Sequence, residues 1–342
     1  MKVSDFDYNL PKALIANHPP KLRGTSNLLV LNKTTGEIKD KKYGDILDYL
    51  NPGDVMVLND TKVMKSRIIA KKENGAKREL VILEKHSDNN WFKHQVLHRG
   101  RISKGDKLFI DDNEIIVEEI LGNGIALVSS KVDLINLSET YGKPPLPPYM
   151  KRDATKEDIK RYQTVFARDP GSAAAPTASL NMTNDILEKL RKKGVTICYI
   201  TLHVGLGTFL PIRSEKVEDH KIHSEYFIVP KRTLSAINQA KQSKNNIVAV
   251  GTTVTRTLEY VFTNKLTSNS NGDVSGEADI YIYPGYNFKC VDVLLTNFHA
   301  PKSTVLMLAS AFAGKDNLQK AYIYAIKSKY NFLSYGDSML IL

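Results

Sequence analysis

The sequence predicts a mixed α/β fold interrupted by a small antiparallel β unit. Three observations carry this. Strand and helix patterns alternate from Lys151 onward, as in a sheet flanked by helices. Between about Lys65 and Ser130 the texture changes to short alternating runs, cut by turn clusters such as Ser103-Lys104-Gly105-Asp106 and Gly122-Asn123-Gly124; strands so short and so regularly spaced suit a small barrel or sandwich. Pro144-Pro145-Leu146-Pro147-Pro148 then favours an extended, polyproline-like path, the return from an inserted unit.

In chain order, Ser26–Asn32 reads as a strand, Tyr43–Leu50 has helical spacing, and Asn51-Pro52-Gly53-Asp54 stops it. Val55–Leu58 is a short buried strand that delivers Asn59-Asp60-Thr61 to a loop. Beyond the insert, Asp185–Lys193 is helical and ends at Gly194, and Val195–Thr201 is a strand. Helix Lys231–Ser243, strand Ile247–Val250 and helix Val254–Phe262 follow. Ile280–Tyr283 and Val291–Leu295 read as strands, and Ser303–Phe312 and Asn317–Ser328 as helices.

The chain has 342 residues, 42% hydrophobic and 25% charged, ordinary for a globular protein. No apolar run approaches the ~18 residues of a membrane span, and the first residues lack a secretory core; a cytoplasmic protein is expected. Cys198 and Cys290 form neither a CxxC pair nor a zinc pattern, so buried free thiols are expected. The net charge of +11 favours a polyanionic partner. Residues 65–108 hold twelve Lys and Arg against five acids, so the basic surplus concentrates in the insert. Either a solvated strand face or RNA contact accounts for it, and Lys65, Arg67, Lys77, Arg78, Arg99 and Arg101 are the RNA-binding candidates. Trp91, the one tryptophan, is either a stacking surface for a base or a barrel-core residue.

Polar blocks gather where strands end, the edge at which α/β folds bind substrates. His203-Val204-Gly205-Leu206-Gly207-Thr208 follows a strand; its glycines let backbone N–H groups approach a ligand, yet it is no GxGxxG and an extended Pro211 segment follows. Gly251-Thr252-Thr253 leads into a helix whose free N–H groups favour an anion, although Thr253 also suits a plain N-cap; Arg256 on the first turn could clamp a carboxylate or phosphate. His220, His223 and Glu225 have loose metal-ligand spacing but lack HExxH, and a histidine and a glutamate trading protons is the better reading. Asn297-Phe298-His299 precedes Lys302-Ser303-Thr304 at another helix start, which lowers imidazole basicity. Gly171 to Asn181 is a small-residue loop that can lie flat on a purine or sugar, or simply pack on a helix.

Together these blocks resemble the S-adenosylmethionine:tRNA ribosyltransferase-isomerases of queuosine synthesis. The resemblance spans nearly the whole chain and includes Asp5-Phe6-Asp7-Tyr8, Leu58-Asn59-Asp60-Thr61, Pro145-Leu146-Pro147-Pro148-Tyr149, Arg161-Tyr162-Gln163-Thr164, Ala174-Ala175-Pro176-Thr177-Ala178, the His203 block, Gly251-Thr252-Thr253, Asn297-Phe298-His299 and Ser334-Tyr335-Gly336-Asp337. It implies a split, barrel-like α/β catalytic domain over 1–62 and 145–342, with an inserted antiparallel β-barrel over 63–144. The implied reaction moves the ribosyl part of S-adenosylmethionine onto 7-aminomethyl-7-deazaguanine at the wobble position of GUN-anticodon tRNA. Epoxyqueuosine, adenine and methionine result. S-adenosylmethionine is consumed as a cosubstrate, with no other cofactor and no metal; the partner is tRNA, no membrane is involved, and a monomer is expected.

That chemistry needs a base near C5′ of the ribose, a donor for departing adenine and an anchor for methionine. The catalytic candidates are His203, His223, Glu225 and His299. The substrate-binding candidates are Thr177, Ser179, Asn181, Gly205, Gly207, Thr208, Thr252, Thr253, Arg256, Asn297 and Lys302. One departure is notable: the family's AAPTAGLHF loop here carries Ser179, Asn181 and Met182, and Asn181 cannot take a proton as histidine can. Two alternatives stand beside this reading, a metal-dependent hydrolase using His220, His223 and His299, and a catalytically impaired tRNA-binding relative.

Overall fold

Apolar side chains alternate between the two faces of the strands, and this sets the layers. Leu29, Leu31, Val55, Val57, Ile200 and Ala249 enter one core, while Leu28, Val30, Met56, Leu58, Val248 and Val250 enter another on the opposite face. The computed structural model describes residues 1–205, 212–264 and 266–342.

The chain opens with β1 (Asn27–Leu31) and β2 (Ile38–Lys42), a short 3₁₀ turn at Tyr43–Asp48, then β3 (Val55–Asn59) and β4 (Thr61–Val63). Next come β5 (Arg67–Lys72), β6 (Lys77–Ile82), β7 (Lys93–Arg99), β8 (Lys107–Ile110), β9 (Asn113–Gly122) and β10 (Ile125–Ser130). Helices α1 (Leu134–Tyr141) and α2 (Lys156–Arg161) lead to β11 (Asp169–Ser172), α3 (Asn184–Lys192), β12 (Thr196–Leu202) and β13 (Glu225–Val229). The remainder is α4 (Lys231–Gln242), β14 (Ile247–Val250), α5 (Thr252–Asn264), β15 (Val274–Ala278), β16 (Val293–Asn297), α6 (Thr304–Ala313), α7 (Lys315–Lys327) and β17 (Ser338–Ile341).

Nine strands form one mixed sheet in the order β15-β13-β12-β3-β14-β16-β17-β1-β2. Its middle, β12-β3-β14-β16, is parallel throughout. Strands β5 to β10 close into an antiparallel barrel, β10-β7-β6-β5-β8-β9, around its own core of Ile68, Leu80, Val96, Leu108, Val117 and Val128. Closure leaves that unit no unpaired edge. The mixed α/β fold and the antiparallel barrel are as the sequence implies.

Two expectations need correction. Tyr43–Leu50 is a 3₁₀ segment rather than an α-helix. Ile280–Tyr283 is not a strand: the edge strand is β15, Val274–Ala278, paired with β13. Ile282 is buried, which mimics a strand pattern, but the Ile280 carbonyl accepts from Arg256 Nε at 3.2 Å instead of joining a ladder. Cys198 and Cys290 are buried free thiols. No helix among the described residues is long and apolar enough to cross a membrane.

Candidate functional site

Because β12, β3, β14 and β16 run parallel, their C-terminal ends share one rim. Val204 and Gly205 leave β12, Gly251 and Thr252 leave β14, and Phe298 and His299 leave β16. Strand β13 runs antiparallel to β12, so Glu225 at its start joins the same rim.

A cleft of about 690 Å³ lies between this rim and the outer face of the barrel. Gln95 and Leu97 of β7 and Ile125 of β10 form the barrel wall; Gly205, His220, His223, Glu225, Thr252, Thr253 and Arg256 form the rim wall. Gly205 is pinched between the two: a Cβ there would meet Glu84 Oε1 at 2.3 Å. Its N–H donates to Glu225 Oε1 at 2.9 Å.

Arg256 does not reach outward as a ligand clamp. Its Nη1 donates to Glu225 Oε2, its Nη2 to the carbonyls of Ala278 at 3.1 Å and His223 at 3.4 Å, and its Nε to Ile280. The Glu225–Arg256 pair is buried, with side chains 3% and 9% exposed. It braces the cleft wall, so the sequence-based role of Arg256 as an anion clamp is corrected to that of a strut. His223 lies exposed on the cleft wall. His220 packs edge-on to Tyr281 with ring centroids 5.4 Å apart, and burial followed by the neighbouring His223 pushes its pKa down.

A second cavity of about 120 Å³ opens behind Thr252 and Thr253, which line both spaces. Thr177, Asn297 and His299, three of the candidates, line it. Thr177 Oγ1 donates to Asn297 Oδ1 at 2.9 Å. His299 Nε2 is 2.8 Å from Thr296 Oγ1, the His299 backbone N–H donates to Tyr322 Oη at 2.9 Å, and burial lowers the imidazole pKa to about 3. The ring is therefore neutral.

Four candidates line neither space. His203 is 1% exposed and its Nδ1 lies 2.9 Å from Thr61 Oγ1, which is 2.8 Å from Ser172 Oγ. Ser172 Oγ in turn accepts the Val204 N–H at 2.7 Å. Burial, then the Lys85 cation, lowers the His203 pKa to about 4. A neutral His203 accepting from Thr61 satisfies every hydroxyl in that chain, so the residue secures the turn before Gly205 instead of facing the cleft. Asn181 is buried and donates to Gly336 O at 3.1 Å. Ser179, within the small-residue loop, is fully buried. Lys302 pairs with Asp7 at 2.7 Å. Gly207 and Thr208 lie outside the described residues.

The basic insert divides. Lys65 is tied to Glu139 at 3.3 Å, and Arg67 to Glu79 at 2.6 Å and Asp153 at 3.1 Å. Arg78 folds back onto the Arg101 carbonyl at 2.9 Å. Lys77 and Arg101 remain exposed; Arg99, also exposed, has its Nε 3.6 Å from Glu79 Oε1. On β7, Lys93 and Arg99 flank Gln95 and Leu97 on the outer face, so positive charge brackets the cleft. Trp91 packs on the barrel core, 4.6 Å from the His94 ring, and not as an open platform.

Sequence reasoning missed Glu84, His86, Arg213 and Tyr149, which also line the cavities. His86 Nδ1 is 3.1 Å from Glu277 Oε2 on β15 and its Nε2 is 3.9 Å from Glu84, so the barrel is latched to the sheet edge beside the cleft. Among the described residues no group of three His, Cys, Asp or Glu side chains is arranged to hold a metal ion.

A parallel sheet rim facing a separate barrel defines an α/β protein with a cleft between two parts. The chain belongs to the queuosine biosynthesis protein family, whose family model matches residues 3–341. It is 53% identical over 344 residues to the S-adenosylmethionine:tRNA ribosyltransferase-isomerase of Chlorobium phaeobacteroides, with all of both chains covered. The enzyme of the same name from Sulfurihydrogenibium sp. is 48% identical over 347 residues, again at full coverage. The crystal structure of S-adenosylmethionine tRNA ribosyltransferase from Thermotoga maritima matches with a TM-score of 0.57 and 34% identity, covering 99% of this chain and 100% of that one.

Proposed function

We propose that the cleft between barrel and sheet rim joins S-adenosylmethionine to tRNA. The chain is a transferase, an S-adenosylmethionine:tRNA ribosyltransferase-isomerase of queuosine biosynthesis, as full-length relatives at about half identity support. The finer reading is that the acceptor is 7-aminomethyl-7-deazaguanine at the wobble position of GUN-anticodon tRNA, with adenine and methionine released. On this reading the enzyme works in the cytoplasm as a single chain, split into a catalytic part at 1–62 and 145–342 and a barrel at 63–144.

The observation that carries the reading is the shared wall of Thr252 and Thr253. It joins a wide cleft facing the basic barrel to a smaller cavity of the rim. The start of α5 offers backbone N–H groups there, suited to developing negative charge. His223 on the cleft wall is the base, with His220 beside it. Glu225, fixed by Arg256 and Gly205, holds the wall without moving protons. Arg213, exposed on the cleft wall, takes the carboxylate or phosphate that Arg256 cannot. Lys77, Arg99 and Arg101 meet the RNA backbone, which lends affinity and not sequence choice.

The impaired-relative reading rested on Asn181. Its side chain serves the Gly336 carbonyl and lines neither cavity, so an amide at that position removes no group from the cleft. Adenine release from S-adenosylmethionine, with and without tRNA carrying the aminomethyl-deazaguanine base, tests the function. Release dependent on that tRNA is expected; no release under any condition overturns the proposal.

A further inference from the structure

The small cavity behind Thr252 and Thr253 differs from the cleft in charge. The cleft wall carries Glu84, Glu225, Arg213 and Arg256. The small cavity has no acidic or basic side chain besides His299, which burial keeps neutral. A zwitterionic amino acid or a phosphate placed there would lose hydration without gaining a counter-charge. A neutral, flat, hydrogen-bonding ring would not.

We propose that this cavity is the subsite for the adenine base of the sulfonium nucleoside, with the sugar and sulfonium reaching past Thr252 and Thr253 into the cleft. The inference rests on the ribosyl-transfer reading above. Size agrees: about 120 Å³ is several times the space one water needs and far less than the cleft's 690 Å³. Shape agrees as well. Ala175 to Ala178 present small side chains on one side, and Phe298 and Leu333 contribute apolar surface. The small-residue loop thus provides the flat contact that larger side chains would block.

Polar groups in the wall are incompletely used. Thr253 is 8% exposed, and its Oγ1 has no hydrogen-bond partner among the described residues. A buried hydroxyl without a partner is costly unless a ligand supplies one. His299 spends Nε2 on Thr296 Oγ1, which leaves Nδ1 of a neutral ring for the base. Asn297 Oδ1 is taken by Thr177 Oγ1, so the Thr177 hydroxyl keeps its lone pairs for an amino donor. An amino group, ring nitrogens and a flat face are what a purine offers in return.

Calorimetric titration of the full chain with free adenine tests this, using Thr253→Val and Ala178→Leu beside the parent. Adenine should bind, and S-adenosylmethionine should displace it. Thr253→Val, which keeps volume and removes the hydroxyl, should weaken adenine by about 5- to 10-fold; Ala178→Leu should abolish its binding by filling the cavity. Adenine binding both variants as tightly as the parent, or competing with tRNA but not with S-adenosylmethionine, overturns the subsite. Should Ala178→Leu fail to fold, Thr253→Val decides alone. Ribosyl transfer measured on the same preparations separates the two levels. Transfer without adenine bound in this cavity removes only the subsite, whereas adenine bound there without any transfer removes the reaction and keeps a purine site.

Discussion

Arg256 and Glu225 face each other across 31 positions of sequence, and the carboxylate of Glu225 holds the Gly205 N–H with its other oxygen. Three elements of the rim, the start of α5, the start of β13 and the end of β12, are thereby joined at one buried ion pair. Breaking such a pair from one side leaves an uncompensated charge, at a cost of about 3–5 kcal/mol. Arg256→Met should therefore lower stability in chemical denaturation by roughly that amount. The double variant Glu225→Gln with Arg256→Met should recover much of it. Equal losses in the single and double variants would refute the buried-pair account.

The two histidine candidates should behave differently. His223→Ala should reduce kcat by about 10²- to 10⁴-fold, the usual worth of general base catalysis, and leave the melting temperature unchanged. His203→Ala should lower the melting temperature, because Thr61 loses its partner inside the chain of hydroxyls. Steady-state kinetics and thermal melts on both variants check this; a His223→Ala enzyme with normal kcat removes His223 as the base.

His203 also predicts an acid sensitivity. Its pKa falls from an ordinary 6.5 to about 4 in the folded chain, so on acidification the unfolded chain binds the proton first. Stability held by the neutral ring is thus fully present above about 6.5 and is lost as the pH falls toward about 4. Denaturation midpoints measured over that range should decline for the parent, and less steeply for His203→Gln. An unchanged slope in the variant would assign the acid sensitivity elsewhere.

Charge removal on the barrel should discriminate free from paired cations. Lys77→Ala and Arg101→Ala should each weaken tRNA binding and reduce the salt slope by about one. Arg67→Ala should change binding little, since Arg67 is committed to Glu79 and Asp153. Filter binding between low and high salt reads both; an Arg67 effect equal to that of Arg101 would place the RNA on another face.

The barrel has its own closed sheet and core, and Arg67 and Lys143 pair at its entry and exit. Residues 63–144 expressed alone should fold with one cooperative transition. A non-cooperative chain would show that the sheet completes its core.

Strand Ile247–Val250 and the helix after Gly251 were legible because a continuous apolar run met a glycine and two threonines, a local signal for a strand feeding a helix. Insert and sheet were separable because the period of the pattern changed. What sequence hid was pairing at a distance. Arg256 reads as a free cation until Glu225 is beside it. His203 sits among glycines as a catalytic residue would, yet its partners, Thr61 and Ser172, come from β4 and β11. The edge strand Val274–Ala278 contains Ser275, Gly276 and Glu277, weak strand formers, and only β13 makes it a strand.

Gly205 sets a geometric limit that no catalytic assignment conveys. A methyl group there would lie 2.3 Å from Glu84 Oε1, so the far end of that side chain would have to swing aside. Alanine at this position should therefore relocate a carboxylate on the cleft wall, changing the charge at the mouth while the width between sheet and barrel stays as it is.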